Sequence, residues 1–129
     1  MPSIQHIALY CSDIEKMRAF YEKYFDAKSN EKYINTKKGF ESYFLSFKEG
    51  ASLEIMRKEG IASANEVPAE YLGLTHFAFS VGSEEKVNEL TETLRKDGFE
   101  VAGEVRWTGD GFYESVVLDP EGNRLEITI

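Results

Sequence analysis

The chain repeats itself. Sliding it by seventy residues lays His6-Ile-Ala-Leu9 on His76-Phe-Ala-Phe79 and Ile14-Glu-Lys-Met17 on Glu84-Glu-Lys-Val87, and puts Phe20 on Leu90. With two more residues in the second half, Leu53-Glu-Ile55 falls on Leu125-Glu-Ile127. Identity between the halves is low, and what persists is pattern and polarity. Such a repeat restricts the fold strongly. Each half is one small supersecondary unit, too thin to bury both faces of its sheet alone, so the halves need each other or a second chain. A length of 129 residues allows one domain with a real core. The expected organisation is a single domain, 1–129, with module one at about 1–57, a polar connector at about 58–73 that contains Pro68, and module two at about 74–129.

Within each half the hydrophobic period changes in the same order. Ile4 to Tyr10 is apolar and β-branched and predicts a strand. Ser12-Asp-Ile-Glu15 matches a capping box with Ser12 as N-cap. Ile14, Met17, Phe20, Tyr21, Tyr24 and Phe25 then form one stripe at helical spacing. Strands are expected at Lys32 to Thr36, Ser42 to Phe47 and Ala51 to Met56, the last two joined by a turn at Lys48-Glu-Gly50. In the second half Thr75 to Val81 predicts a strand. Ser83 can cap a helix carrying Val87, Leu90 and Leu94, and Gly98 stands where a helix-ending glycine belongs. Strands follow at Glu100 to Val105, Tyr113 to Leu118 and Leu125 to Ile129, with Asp119-Pro-Glu-Gly122 as the last hairpin turn. The fold class is therefore α+β, built of paired βαβββ modules.

Charge removes several functions. The 15 Lys and Arg are outnumbered by 23 Asp and Glu, a net charge of −8. Nucleic acids and anionic membranes recruit clustered cations, and here the longest basic runs are pairs such as Lys37-Lys38 and Arg57-Lys58. No nucleic-acid or membrane partner is expected. Cys11, the only cysteine, leaves no intrachain disulfide and no cysteine zinc site, and it reads as a small packing residue. The N-terminus lacks the basic start and long apolar run of a secretory signal, so the expected location is cytoplasmic.

Strand alternation then isolates four residues. Leu53 and Ile55 point one way and Glu54 the other, and Leu125, Ile127 and Glu126 repeat this. His76 opposes Phe77 as His6 opposes Ile7. These are the chain's two histidines, and they fall at equivalent repeat positions. If the modules line one concave surface, His6, Glu54, His76 and Glu126 meet there. Two imidazoles and two carboxylates suit one divalent Zn, Ni, Co, Mn or Fe ion. The other reading of such a polar face is a cleft that binds a ligand without metal.

At this point the residues resemble a family. His6-Ile-Ala-Leu, Leu-Glu54-Ile, Leu-Thr-His76-Phe-Ala-Phe-Ser-Val and Asp119-Pro-Glu-Gly-Asn-Arg-Leu-Glu126-Ile are similar to the vicinal oxygen chelate superfamily, the glyoxalase, bleomycin-resistance and extradiol-dioxygenase group. The resemblance spans essentially the whole chain and implies an open, incomplete barrel of paired modules around a cleft that holds a metal. Extradiol dioxygenases and fosfomycin-resistance transferases use the positions of His6, His76 and Glu126. Glyoxalase I and methylmalonyl-CoA epimerase add a ligand at the position of Glu54. Keeping all four residues resembles the glyoxalase I side.

The resemblance thus implies a lactoylglutathione lyase-like metalloenzyme. It would move a proton next to a metal-polarised carbonyl of a small molecule, such as a 2-oxoaldehyde–thiol adduct. Glu54 and Glu126 are the candidate bases, with Glu126 favoured. The alternatives are a metal-free sequestration protein of the bleomycin-resistance type and an extradiol-type dioxygenase. Members are usually homodimers, and some build the site from two chains, so the four ligands can come together within one chain or across a dimer. Arg106 and Trp107, in a loop that ends at Tyr113, are candidates for holding an anionic or flat substrate, or else belong to an ordinary hairpin with surface aromatics. Tyr10, Phe44 and Met56 are candidates for the pocket wall, or else for the core.

Overall fold

The structure is a computed structural model that describes residues 1–63 and 70–129. Pro68 and part of the expected connector lie outside the described residues. The chain divides into two compact units, Met1–Glu66 and Val67–Ile129.

The first unit runs β1 (His6–Tyr10), α1 (Ile14–Phe25), β2 (Lys28–Ser29), β3 (Tyr33–Asn35), β4 (Phe40–Ser46) and β5 (Ser52–Lys58). Its sheet has the order β1-β5-β4-β2, and β3 also pairs with β4. β2 and β3 therefore share one partner strand and act as a single interrupted strand. The break is at Asn30, whose Oδ1 accepts from the Phe44 N–H at 2.8 Å in place of a ladder bond. A strand was expected over Lys32 to Thr36; β3 is shorter, and the β2 segment carried no alternation that could announce two residues.

The second unit runs β6 (His76–Ser80), α2 (Glu84–Lys96), β7 (Val101–Trp107), β8 (Tyr113–Leu118) and β9 (Arg124–Thr128), in the order β6-β9-β8-β7. In both units the first strand pairs in parallel with the last, and the last pairs antiparallel with its predecessor. Both sheets are open, as the α+β, paired βαβββ expectation requires.

Each helix covers one sheet face. Ile14, Met17, Phe20 and Tyr21 of α1 are buried, as are Tyr43, Leu45, Leu53 and Ile55 beneath them. Val87, Thr91 and Leu94 of α2 are buried with Ser115, Val117, Leu125 and Ile127. Each fully buried Leu or Ile contributes about 1.5–3 kcal/mol, so these faces fix the register. A slip of one residue would put Glu54 or Glu126 under a helix.

The caps differ in one place from expectation. The N-cap of α1 is Asp13, not Ser12: its carboxylate accepts from the Lys16 N–H at 3.0 Å. Asp13 is the repeat equivalent of Ser83, which does cap α2 through the Lys86 N–H at 3.2 Å. The helix α2 closes at Gly98, φ 92°, where the Phe99 N–H reaches Leu94 O and the Gly98 N–H reaches Arg95 O. That double bond pattern needs a left-handed residue, which glycine adopts without a Cβ clash. The turn Asp119–Gly122 is held by Asp119, whose carboxylate accepts from the N–H groups of Glu121 and Asn123. No described helix is long and apolar enough to cross a membrane.

Candidate metal centre

The sheet register decides which side chains share a face. In the first unit Ala8 lies opposite Glu54, and Glu54 opposite Phe44. His6, two residues from Ala8, is thus on the Glu54 face, away from α1. His6 Nε2 lies 3.7 Å from Glu54 Oε1. In the second unit Ala78 lies opposite Glu126, and His76 Nε2 lies 3.1 Å from Glu126 Oε1. The same pair is built twice at the same register. All four side chains are partly open, from 17% for Glu54 to 40% for His76.

The other ring nitrogen is held in both cases by the preceding residue. His6 Nδ1 meets the side-chain oxygen of Gln5, and His76 Nδ1 lies 2.9 Å from Thr75 Oγ1. The Gln5 side chain thus engages Nδ1 and leaves Nε2 on the Glu54 side of the ring. The Thr75 hydroxyl engages His76 in the same sense. Phe44 packs edge-on against the His6 ring, centroids 5.2 Å apart, and limits its rotation.

These pairs fit a divalent cation as half-sets. Two donors that each bind one ion at about 2.0–2.2 Å stand roughly 3–3.5 Å apart at tetrahedral or octahedral angles; His76–Glu126 at 3.1 Å falls in that span and His6–Glu54 at 3.7 Å slightly beyond it. Each unit by itself supplies two such donors, and the described residues contain no group of three or more His, Cys, Asp or Glu gathered for a metal.

A second acidic residue lies on the same face of the second unit. Glu114 is opposite Thr128, two residues along from the Val116–Glu126 pair. It is 6% exposed, and its Oε2 is buried without a hydrogen-bond partner. Burial pushes its carboxyl above the ordinary value, and the neighbouring Glu126 adds to this, while Arg106 and His76 pull it down. Sequence reasoning missed Glu114. The signal was available: counting back across the Asp119–Gly122 turn puts it on the Glu126 face of a strand whose other residues on that face, Val116 and Leu118, are apolar.

The remaining candidates separate by face. Tyr10 and Met56 are opposite one another, and both lie on the His6–Glu54 face with Phe44. Arg106 lies opposite Glu114, on the His76–Glu126 face, and donates from Nη1 to Glu114 O at 3.2 Å. Trp107 and Tyr113 are opposite each other one residue further on, with ring centroids 5.2 Å apart. They therefore face the helix side, and Tyr113 Oη reaches Asn88 Oδ1 of α2 at 2.6 Å. The structure puts Arg106 with the metal-type pair and Trp107 and Tyr113 away from it.

A family model of the glyoxalase/bleomycin resistance protein/dioxygenase superfamily matches residues 3–127. The chain belongs to this superfamily. An uncharacterized Bacillus subtilis protein, YwkD, is 34% identical over 104 residues, covering 75% of this chain and 80% of its own. Among solved structures, a glyoxalase family protein from Enterococcus faecalis matches with a TM-score of 0.78 at 24% identity, covering 98% of this chain and 96% of that one. The trypanothione-dependent glyoxalase I of Leishmania major matches with the same TM-score at 21% identity, covering 99% and 86%. At these identities the structural likenesses establish the glyoxalase fold. The superfamily includes enzymes such as glyoxalase I.

Proposed function

We propose that this protein is a divalent-metal-dependent lyase or isomerase of the glyoxalase I type, with His6, Glu54, His76 and Glu126 as ligands. The observation that carries the reading is the recurrence of one His–Glu pair, at one register, in two modules that otherwise share little sequence. A divalent ion held by such a set acts as a Lewis acid on adjacent substrate oxygens.

The chain's own residues supply the rest. Glu126, and secondarily Glu54, serves as the base that takes a proton from a carbon beside a carbonyl and returns it to the neighbouring carbon. Either glutamate would serve both as a holder of the ion and as the base. Arg106 faces the same side as His76 and Glu126 and is the chain's candidate for holding an anionic part of the substrate. Phe44, Tyr10 and Met56 give the first module's side of the site an apolar wall. The substrate class is a 2-oxoaldehyde–thiol adduct or a related small hydroxy-carbonyl compound, and the working form is a homodimer.

Retention of both pairs weighs against a metal-free sequestration role. The extra ligand Glu54 weighs against oxygen chemistry, which needs an open face on redox-active iron. Glu54→Gln and Glu126→Gln, assayed separately for metal content and for conversion of methylglyoxal–thiol adducts, test the assignment. Loss of turnover in at least one variant is expected. Full turnover in both would remove it, and a metal-free wild type that binds aromatic ligands would favour sequestration.

A further inference from the structure

We infer that Glu114 is a positioning residue that gives the His76–Glu126 pair its grip on a dication, acting by charge and not by a bond. This rests on the divalent-metal reading above. Three features of the structure carry it. Glu114 is buried at 6% exposure, its Oε2 meets no N–H or hydroxyl donor, and the side chain within hydrogen-bond reach of its carboxyl is another acid, Glu126. A buried carboxylate oxygen without a partner is costly, so such an atom marks a place where a positive group belongs. Its neighbour on the sheet face is Glu126, so two carboxylates stand side by side where one would serve as ligand. The guanidinium opposite, on Arg106, donates to the backbone oxygen of Glu114 and not to its carboxylate.

The repeat sharpens the argument. The equivalent place in the first unit, opposite Met56 and two residues from the Phe44–Glu54 pair, is Ser42. The duplicated fold therefore tolerates a small neutral residue there, and the second unit carries a buried acid instead. Glu114 stands two residues along β8 from the Val116–Glu126 pair, which puts it beside the ligand carboxylate and outside the bonding set. A carboxylate behind a ligand carboxylate still lowers the potential at the ion and orients the ligand oxygen toward it. The two halves then contribute unequally to holding one ion, the module-two pair more strongly.

The test uses cobalt(II) alone, titrated into the metal-free full-length protein by calorimetry, with the visible d–d bands as a record of the bonded atoms. Glu114→Gln and Glu114→Met both remove the charge at similar length, and Met leaves no unsatisfied polar atom should Gln loosen the sheet. Both are expected to weaken cobalt binding about ten- to a hundredfold, with band positions unchanged. Glu114→Asp keeps the charge and recovers most of the affinity. Wild-type affinity in the folded neutral variants would overturn the inference, and so would equal weakening in Glu114→Asp. Altered bands would make Glu114 a ligand and overturn it too. A wild type that takes up no cobalt would instead bring down the metal reading on which all this stands.

Discussion

At the residue scale the two modules solve one problem with different chemistry. The position beneath the helix, one residue before that facing the site glutamate across the sheet, is Tyr43 in the first unit and Ser115 in the second. Tyr43 Oη donates to Glu15 at 2.5 Å, while Lys32 lies 3.3 Å from Glu15 and the Arg18 guanidinium sits 4.9 Å from the Tyr43 ring centroid. The hydrogen bond from Tyr43 is the main reason Glu15 is held below its ordinary value of 4.5; Lys32 and Arg18 add to it, and partial burial opposes them. A carboxylate lowered in the folded state stabilises above its unfolded value, and that stability is lost as pH falls through the folded one. Glu15→Gln is therefore expected to flatten the acid limb of stability below about pH 4.5, read as urea midpoints over roughly pH 3 to 6. An identical acid limb in the variant would show that the network carries no net free energy. In the second unit, Thr91 and Ser115 bond each other at 2.7 Å, both buried. Thr91→Val alone leaves the Ser115 hydroxyl orphaned and is expected to cost about 1–3 kcal/mol, whereas adding Ser115→Ala recovers part of it. Urea denaturation of both variants decides, and a double variant no more stable than the sum of the singles would refute the pairing.

At the element scale the repeat is a better guide than local capping rules. Ser12 to Glu15 satisfies the capping-box pattern, yet the helix begins one residue later, capped by Asp13. The seventy-residue offset places Asp13 on Ser83, so the duplication itself favoured the residue that the local motif passed over. Asp13→Ala and Ser83→Ala are each expected to cost about 1 kcal/mol, read by thermal or urea melts. A far smaller loss at Asp13 would restore the Ser12 reading. The long alternating strands were legible because their periods are strong: Tyr113–Leu118 appears in the structure with the bounds its pattern predicts. The interrupted pair Lys28–Ser29 and Tyr33–Asn35 was not, since its shape is set by the Asn30 side chain bonding to another strand. The irregular register between Val101 and Arg106 is tertiary in the same way. Gly103 sits so close to Val116 that a Cβ would meet its side chain at 3.2 Å, a contact no local pattern encodes.

At the scale of the whole molecule, the His–Glu pairs were readable because only two histidines exist and both fall in the repeat. Glu114 was not, because a repeat marks what the modules share, and Glu114 is where they differ. The same applies to Arg106 and Trp107: adjacent in sequence, they leave a strand on opposite faces, and only the register with Tyr113 and Glu114 assigns them. The pairwise construction leads to a quantitative expectation about the assembled protein. If His6, Glu54, His76 and Glu126 serve one ion, stoichiometry is one cobalt per chain, and His6→Ala or His76→Ala each removes nearly all high-affinity binding. If each pair binds separately, stoichiometry is two and each substitution removes half. Binding to the folded state alone raises stability by about 2.7 kcal/mol when free metal is a hundred times its dissociation constant. For a chain of this size that corresponds to a melting shift of several degrees, reversed by a chelator. One ion per chain, with the shift abolished by either histidine substitution, is the outcome that the repeat predicts. Two ions, or a shift that survives either substitution, would mean that the duplicated pairs work alone.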